Sequence, residues 1–204
     1  MTTMWSATFF APLVLFAFSM SATPGPNNVM LTASGANFGF RRTIPHMLGI
    51  NLGFLTLMAV TALGLGIAFV RFPLLQQALR VAGSVYLLYL AWRIATAAPR
   101  TEGNGLNGRP FRFWEAAAFQ YVNPKAWIIA ISGVSTFTLA GEHYALSAAT
   151  VCLTCTVVNL PSISFWAAFG AAVGRLLRSH RSWRIFNVTM GVLTASCVIL
   201  IFIQ

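Results

Sequence analysis

The chain is 204 residues long, 57% hydrophobic and only 8% charged, with a mean hydropathy of +0.74. A soluble domain carries about 25% charged residues, so this composition excludes one and points to an integral membrane protein. The net charge of +10 does not indicate nucleic-acid binding, because so apolar a chain has no solvated basic face to offer; in a membrane protein, positive charge marks cytoplasmic loops.

Six apolar segments follow one another. The first, Trp5–Ala36, opens on "MTTMWSATFF", which lacks the basic start of a secretory signal and reads as a retained helix. It is interrupted by "SATPGPNNV". As one helix its 32 residues would run about 48 Å, against about 30 Å of hydrocarbon, so two shorter pieces fit better. Segment two is Thr43–Val70, and segment three is Leu74–Ala97. A polar stretch separates segment three from segment four, Phe113–Leu139, which contains "NPKAW". Segment five is Tyr144–Gly174 and segment six Arg184–Gln204. The three cysteines, Cys152, Cys155 and Cys197, all fall in apolar runs. "CLTC" on a helix reads as packing, with metal or redox chemistry as the alternative.

Basic residues alternate in position. Arg41 and Arg42 follow segment one; Arg93, Arg100, Arg109 and Arg112 lie around the connection after segment three; Arg175, Arg178, Arg181 and Arg184 lie between five and six. The opposite side has Arg71 and, a little inside segment three, Arg80. This bias predicts cytoplasmic basic loops and both termini outside.

A weak internal repeat is visible. Setting Pro26 against Pro124 lays "PNNVMLTASG" over "PKAWIIAISG". The same 32-residue interval separates Asn51 from Gly83 and Asn159 from Gly191. The expected fold is therefore all-α: six transmembrane helices in a single domain, built as two inverted three-helix repeats. The first repeat spans about 1–98 and the second about 113–204, with a cytoplasmic linker at about 99–112. Helices one and four are expected to break at their proline motifs. A break in hydrocarbon frees backbone groups at several kcal/mol each, so it persists only against protein or a watery cavity.

The breaks locate the candidate site: Pro24, Gly25, Pro26, Asn27 and Asn28 in one half, Asn123, Pro124 and Lys125 in the other, with Asn51 and Asn159 nearby. A charge as deep as Lys125 usually faces a cavity; its structural alternative is a tie to helix-end carbonyls. Asn51 and Asn159 read equally as ligands or as ties between helices. Gln120, Tyr121 and Trp127 lie near the second break and could line the pocket, with ordinary packing the favoured reading. His46, the other titratable candidate, reads as a helix-end histidine tied to a carbonyl in preference to a proton relay, and Glu115 as a carboxylate at the cytoplasmic end of its span. With no Asp, no helically spaced His pair and no glycine-flanked Ser, an enzyme is not expected, nor is a cofactor.

The motifs "TPGPNN", "GFRR", "LGINLGF" and "NPKAW", together with the chain length, resemble the LysE/RhtB family of small amino-acid exporters. "VAGSVYLLYLAWRIATA" and "FQYVNPK" are most similar to its cysteine and O-acetylserine branch. The resemblance covers essentially the whole chain. It implies a bacterial inner-membrane carrier for a small neutral amino acid or derivative (cysteine, O-acetylserine, threonine or homoserine class), driven by the proton gradient. Its partners would be substrate, protons and the bilayer; a homo-oligomer is compatible with it. A zwitterion needs two poles. Lys125 and the half-helix N-termini near Asn27 and Asn28 could take the carboxylate, and exposed carbonyls with Asn51, Asn123 and Asn159 the ammonium. A channel and a metal-cation exporter are the alternatives.

Overall fold

The computed structural model describes residues 7–97 and 109–203. Met1–Ser6, most of the expected 99–112 linker with Arg100 and Glu102, and Gln204 lie outside the described residues. Those described are helical with no strand among them. The order is α1 (Ala7–Ala22), α2 (Pro26–Phe38), α3 (Phe40–Val60), α4 (Gly66–Arg71), α5 (Pro73–Ala95), α6 (Phe113–Val122), α7 (Pro124–Phe137), α8 (Tyr144–Leu176) and α9 (His180–Ile203).

Among the described residues, four stretches are long and apolar enough to cross a membrane: Phe40–Leu65, Pro73–Ala95, Gly141–Leu176 and His180–Ile199. A fifth span exists if α1 and α2 are counted together across their bend of 58°. Helix α6 has 10 residues and α7 has 14. At 1.5 Å per residue these are about 15 and 21 Å long, so neither crosses alone. Leu15, Val85, Val157 and Val192 are each more than 60% exposed. Such side chains are the surface that a bilayer covers.

Both proline motifs stop a helix. α1 ends at Ala22 and α2 begins at Pro26; α6 ends at Val122 and α7 begins at Pro124, with extended backbone at Asn123 between them. Each new helix starts with proline, whose missing N–H is no loss in the first turn. Two details differ from expectation. Arg41 and Arg42 are not in a loop: Gly39 alone joins α2 to α3, at a φ of 81° that favours glycine, and the two arginines occupy the first turn of α3. Segment two is also not one regular helix. It widens into a π-turn over Thr61–Leu65 with Gly64 at φ 108°. A carbonyl freed there, that of Ala62, accepts the Tyr144 phenol from α8.

Close helix approach depends on small residues. A Cβ on Gly35 of α2 would lie 2.1 Å from the Ala167 carbonyl oxygen of α8, and one on Gly170 of α8 would lie 2.1 Å from that of Thr32. Gly49 of α3 meets Phe113 of α6 in the same way, at 2.2 Å. Backbones in such contact gain dispersion energy that lipid cannot match. Leu13, Leu57, Met58, Ala130 and Val151 form one core layer with Cys152 and Cys155; Cys197 belongs to another, with Met30, Leu87 and Phe119. The three thiols are free and buried.

Candidate functional site

The end of α1 is held by side chains from three other helices. A helix leaves its last carbonyls without intrahelical partners. Here the Thr23 carbonyl accepts from the Lys125 ammonium of α7 at 2.6 Å and from Asn28 Nδ2 at 3.0 Å. The Ser21 carbonyl accepts from Asn28 Nδ2 at 3.0 Å and from Ser162 Oγ of α8 at 2.9 Å. The structural alternative for Lys125, a tie to a helix-end carbonyl, is therefore present. It is a charge-assisted bond, short as such bonds are.

Two adjoining cavities flank this bond. A narrow central pocket of about 40 Å³ is lined by Gly25, Pro26, Asn27, Asn28, Asn123 and Lys125, and Asn159 also reaches it. A larger cavity of about 310 Å³ adds Thr23, Pro24 and Pro124, with Cys197 on its wall. Asn51 lines neither, but its Oδ1 accepts from Asn159 Nδ2 at 3.0 Å. Nine of the ten expected residues thus line one cavity or the other, and the tenth is tied to one of them. Among the described residues that line the two cavities, Lys125 alone is charged. Ile50, Phe54, Ile129 and Ile163 supply the apolar part of the central pocket.

Several roles differ from expectation. Asn123 accepts the Lys125 N–H on its Oδ1 at 3.2 Å and so caps α7, leaving less of that helix N-terminus open to an anion. Gln120, read from sequence as packing, is fully buried and lines the central pocket. It exchanges two amide hydrogen bonds with Asn27, at 2.9 and 3.2 Å, joining α6 to α2 across the two breaks. Its signal was simply an amide inside an apolar helix. The site carbonyls of Ser21 and Thr23 had no side-chain signal at all. Tyr121 and Trp127 hold the second break together: Trp127 Nε1 donates to the Tyr121 carbonyl at 2.8 Å, and the Tyr121 hydroxyl meets Thr56 Oγ1 at 3.0 Å. Glu115 pairs with Arg109 at 2.7 Å and Arg93 at 3.3 Å. His46 is not tied to a carbonyl. It is fully buried, neither ring nitrogen has a partner among the described residues, and its ring lies 4.9 Å from that of Phe111.

Gly25 explains how Lys125 reaches Thr23. Its backbone is extended (φ −166°), a conformation open to any residue, so space is what matters. A Cβ there would stand 3.0 Å from Lys125 Cδ and 3.2 Å from Nζ. Gly25→Ala should therefore leave melting temperature near parental, because a flexible side chain can yield, yet displace the ammonium and slow transport. Parental transport rates in that variant would show that the position of the Lys125 head is unimportant.

The family model described as LysE type translocator matches residues 18–202. The chain belongs to the LysE-type translocator family. A Cysteine/O-acetylserine efflux protein of Shigella flexneri is 32% identical over 199 residues, covering 94% of this chain and 98% of its own. One from Escherichia coli (strain K12) is 33% identical over 183 residues, covering 88% and 90%. No solved structure matches. This translocator is accordingly a multi-pass membrane transporter and not an enzyme.

Proposed function

We propose that this translocator exports a small neutral amino acid or close derivative, of the cysteine and O-acetylserine class, across the bacterial inner membrane. The observation that carries the reading is the bond between the Lys125 ammonium and the Thr23 carbonyl. A zwitterion can insert into that bond. Its carboxylate takes the Lys125 ammonium, and its own ammonium takes the Thr23 carbonyl, which keeps Asn28 as a second donor. The exchange leaves the net charge of the site unchanged and strands no buried group, which an anionic or cationic ligand would do. Gly25, Pro24, Pro26 and Pro124 shape the break. Asn27, Asn28, Asn123, Asn159 and Asn51 set the surrounding amides. The apolar wall of Ile50, Phe54, Ile129 and Ile163 suits a small uncharged side chain.

The architecture behind the site is read as two inverted repeats, about 1–98 and 113–204, joined by a cytoplasmic linker. α1–α2 and α6–α7 then count as one broken span each, giving six. Asn51 and Asn159, matched by the repeat, bond to each other. Equivalent groups that touch must lie close to the symmetry axis, where carriers of this plan bind substrate. The charge bias places both termini outside, and the proton gradient is the driving force.

Expression in a bacterial host should speed efflux of radiolabelled cysteine or O-acetylserine over an empty-vector control. Lysine efflux should stay unchanged, and a reporter fused after Gln204 should be active only outside the cytoplasm. Efflux should saturate and should run against a concentration gradient, as a channel's cannot. Control-level efflux of every neutral amino acid at normal protein abundance would overturn the reading.

A further inference from the structure

We infer that His46 is the residue that carries the coupling proton, standing between a basic cavity at the loop end of α2 and the central substrate pocket. The inference rests on the proton-driven export reading above and assigns a residue to its unassigned step.

The argument begins with a cost. A buried ring nitrogen without a hydrogen-bond partner is unfavourable, because water would have bonded it in the unfolded chain. His46 has two such nitrogens and no exposure. A leucine there would fill the space without that penalty. Neighbouring polar groups in the same helix show what satisfied ones look like: Thr43 Oγ1 bonds to the Gly39 carbonyl at 2.9 Å and to Ser34 Oγ at 3.2 Å.

Position supplies the second observation. A cavity of about 200 Å³ is lined by Ser34, Asn37, Arg93, Arg109 and Phe111. Phe111 on its wall meets both groups: Arg93 lies over that ring at 4.8 Å, and the imidazole is 4.9 Å from it. Ser34, on the cavity wall, bonds Thr43, one turn before His46. Ile50, one turn after His46 on the same face of α3, lines the central pocket. The imidazole thus occupies the level between the two spaces.

Its charged surroundings are few. α2 presents no titratable side chain. α6 contributes Glu115, which is held by Arg93 and Arg109. Arg41 and Arg42 on α3 itself are exposed. Lys125 on α7 is at the central site, and on α8 Cys152 and Cys155 lie in the opposite core layer and Arg175 in the last turn. A neutral imidazole has one N–H and one lone pair. A proton added to the lone pair on one side gives imidazolium, and loss of the other N–H proton on the far side restores the neutral ring. A group moving a proton between two compartments needs this two-sided chemistry.

The test uses the full chain in proteoliposomes, as parent, His46→Leu and His46→Gln, with radiolabelled cysteine. Counterflow without a pH gradient reports substrate binding and exchange; accumulation under an imposed pH gradient reports coupling. Both variants should keep counterflow near parental, lose the stimulation by the gradient, and lose the pH dependence of net transport. His46→Leu should melt at or above the parental temperature, and His46→Gln covers the case where leucine misfolds. Gradient-driven accumulation by the variants equal to the parent's would overturn the role of His46 while leaving the export reading standing. So would loss of counterflow and coupling together, which marks a structural residue. A parent that exchanges cysteine without any response to the gradient would overturn proton drive itself, and His46's role with it.

Discussion

Lys125→Met is expected to abolish export while the protein remains inserted at near-parental abundance. Among the described residues the ammonium donates to the Thr23 carbonyl, and that carbonyl keeps Asn28 when the lysine is gone. A bond to a charged group contributes about 1.5–3 kcal/mol. Relief from burying an ion offsets part of that, so the fold should tolerate the change. The site should not, because among the described residues Lys125 is the sole charge lining either cavity. Lys125→Arg should recover little. A planar fork replaces a compact point charge, and the stem already passes within 3.0 Å of where a Gly25 side chain would begin. Efflux of radiolabelled cysteine, normalised to membrane-inserted protein, is the measurement. Parental efflux by Lys125→Met would remove Lys125 from the site and the zwitterion argument with it.

What the sequence made legible follows a physical division. Helix breaks were legible because Pro24, Pro26 and Pro124 act locally: they lack an N–H and clash with the preceding turn wherever they stand. Lys125 was legible because a charge in an apolar run has few reasons to be there. The π-turn at Thr61–Leu65 was not. Within it the Ala62 carbonyl is met by a phenol from Tyr144, which is distant in sequence. Gln120 was visible as an amide but misassigned, since its partner Asn27 is 93 residues away. Exposed carbonyls at the breaks were expected, but that they are those of Ser21 and Thr23 was not legible: every residue carries a carbonyl, and only the fold decides which ones a break leaves open. His46 shows the opposite failure. Proximity to a helix end suggested a carbonyl tie, and the aromatic wall of Phe111 gave it an apolar environment instead.

Gly35→Ala is expected to cost folded protein, whereas Gly133→Ala is not, although the proposed repeat matches the two positions. Alanine normally gains about 1 kcal/mol over glycine inside a helix, so local propensity favours both changes. Packing reverses the sign at Gly35. The added Cβ would sit 2.1 Å from the Ala167 carbonyl oxygen and 3.1 Å from the Ala171 nitrogen. Those are backbone atoms of α8, which cannot turn aside as a side chain can, so α2 must move away as a unit. That separation opens the buried seam containing Leu31 and Ala167. Overpacking of this kind costs roughly 1–3 kcal/mol, and more where the backbone is the obstacle. At Gly133 the nearest atoms are Phe16 Cε1 at 3.3 Å and Met58 Cε at 3.6 Å. Both are the ends of side chains that can shift by a few tenths of an ångström. Melting of the two purified variants beside the parent decides the matter, with Gly35→Ala lowered or unrecoverable and Gly133→Ala near parental. Equal, near-parental melting would mean that the α2–α8 seam is looser than its backbone contacts imply. A low melting point for Gly133→Ala alone would place the tight seam on α7 instead. The predicted inequality also bears on transport. A carrier must hold one side of its site closed while the other is free to open, and matched glycines in unequal contacts are what two repeats in different conformations would present.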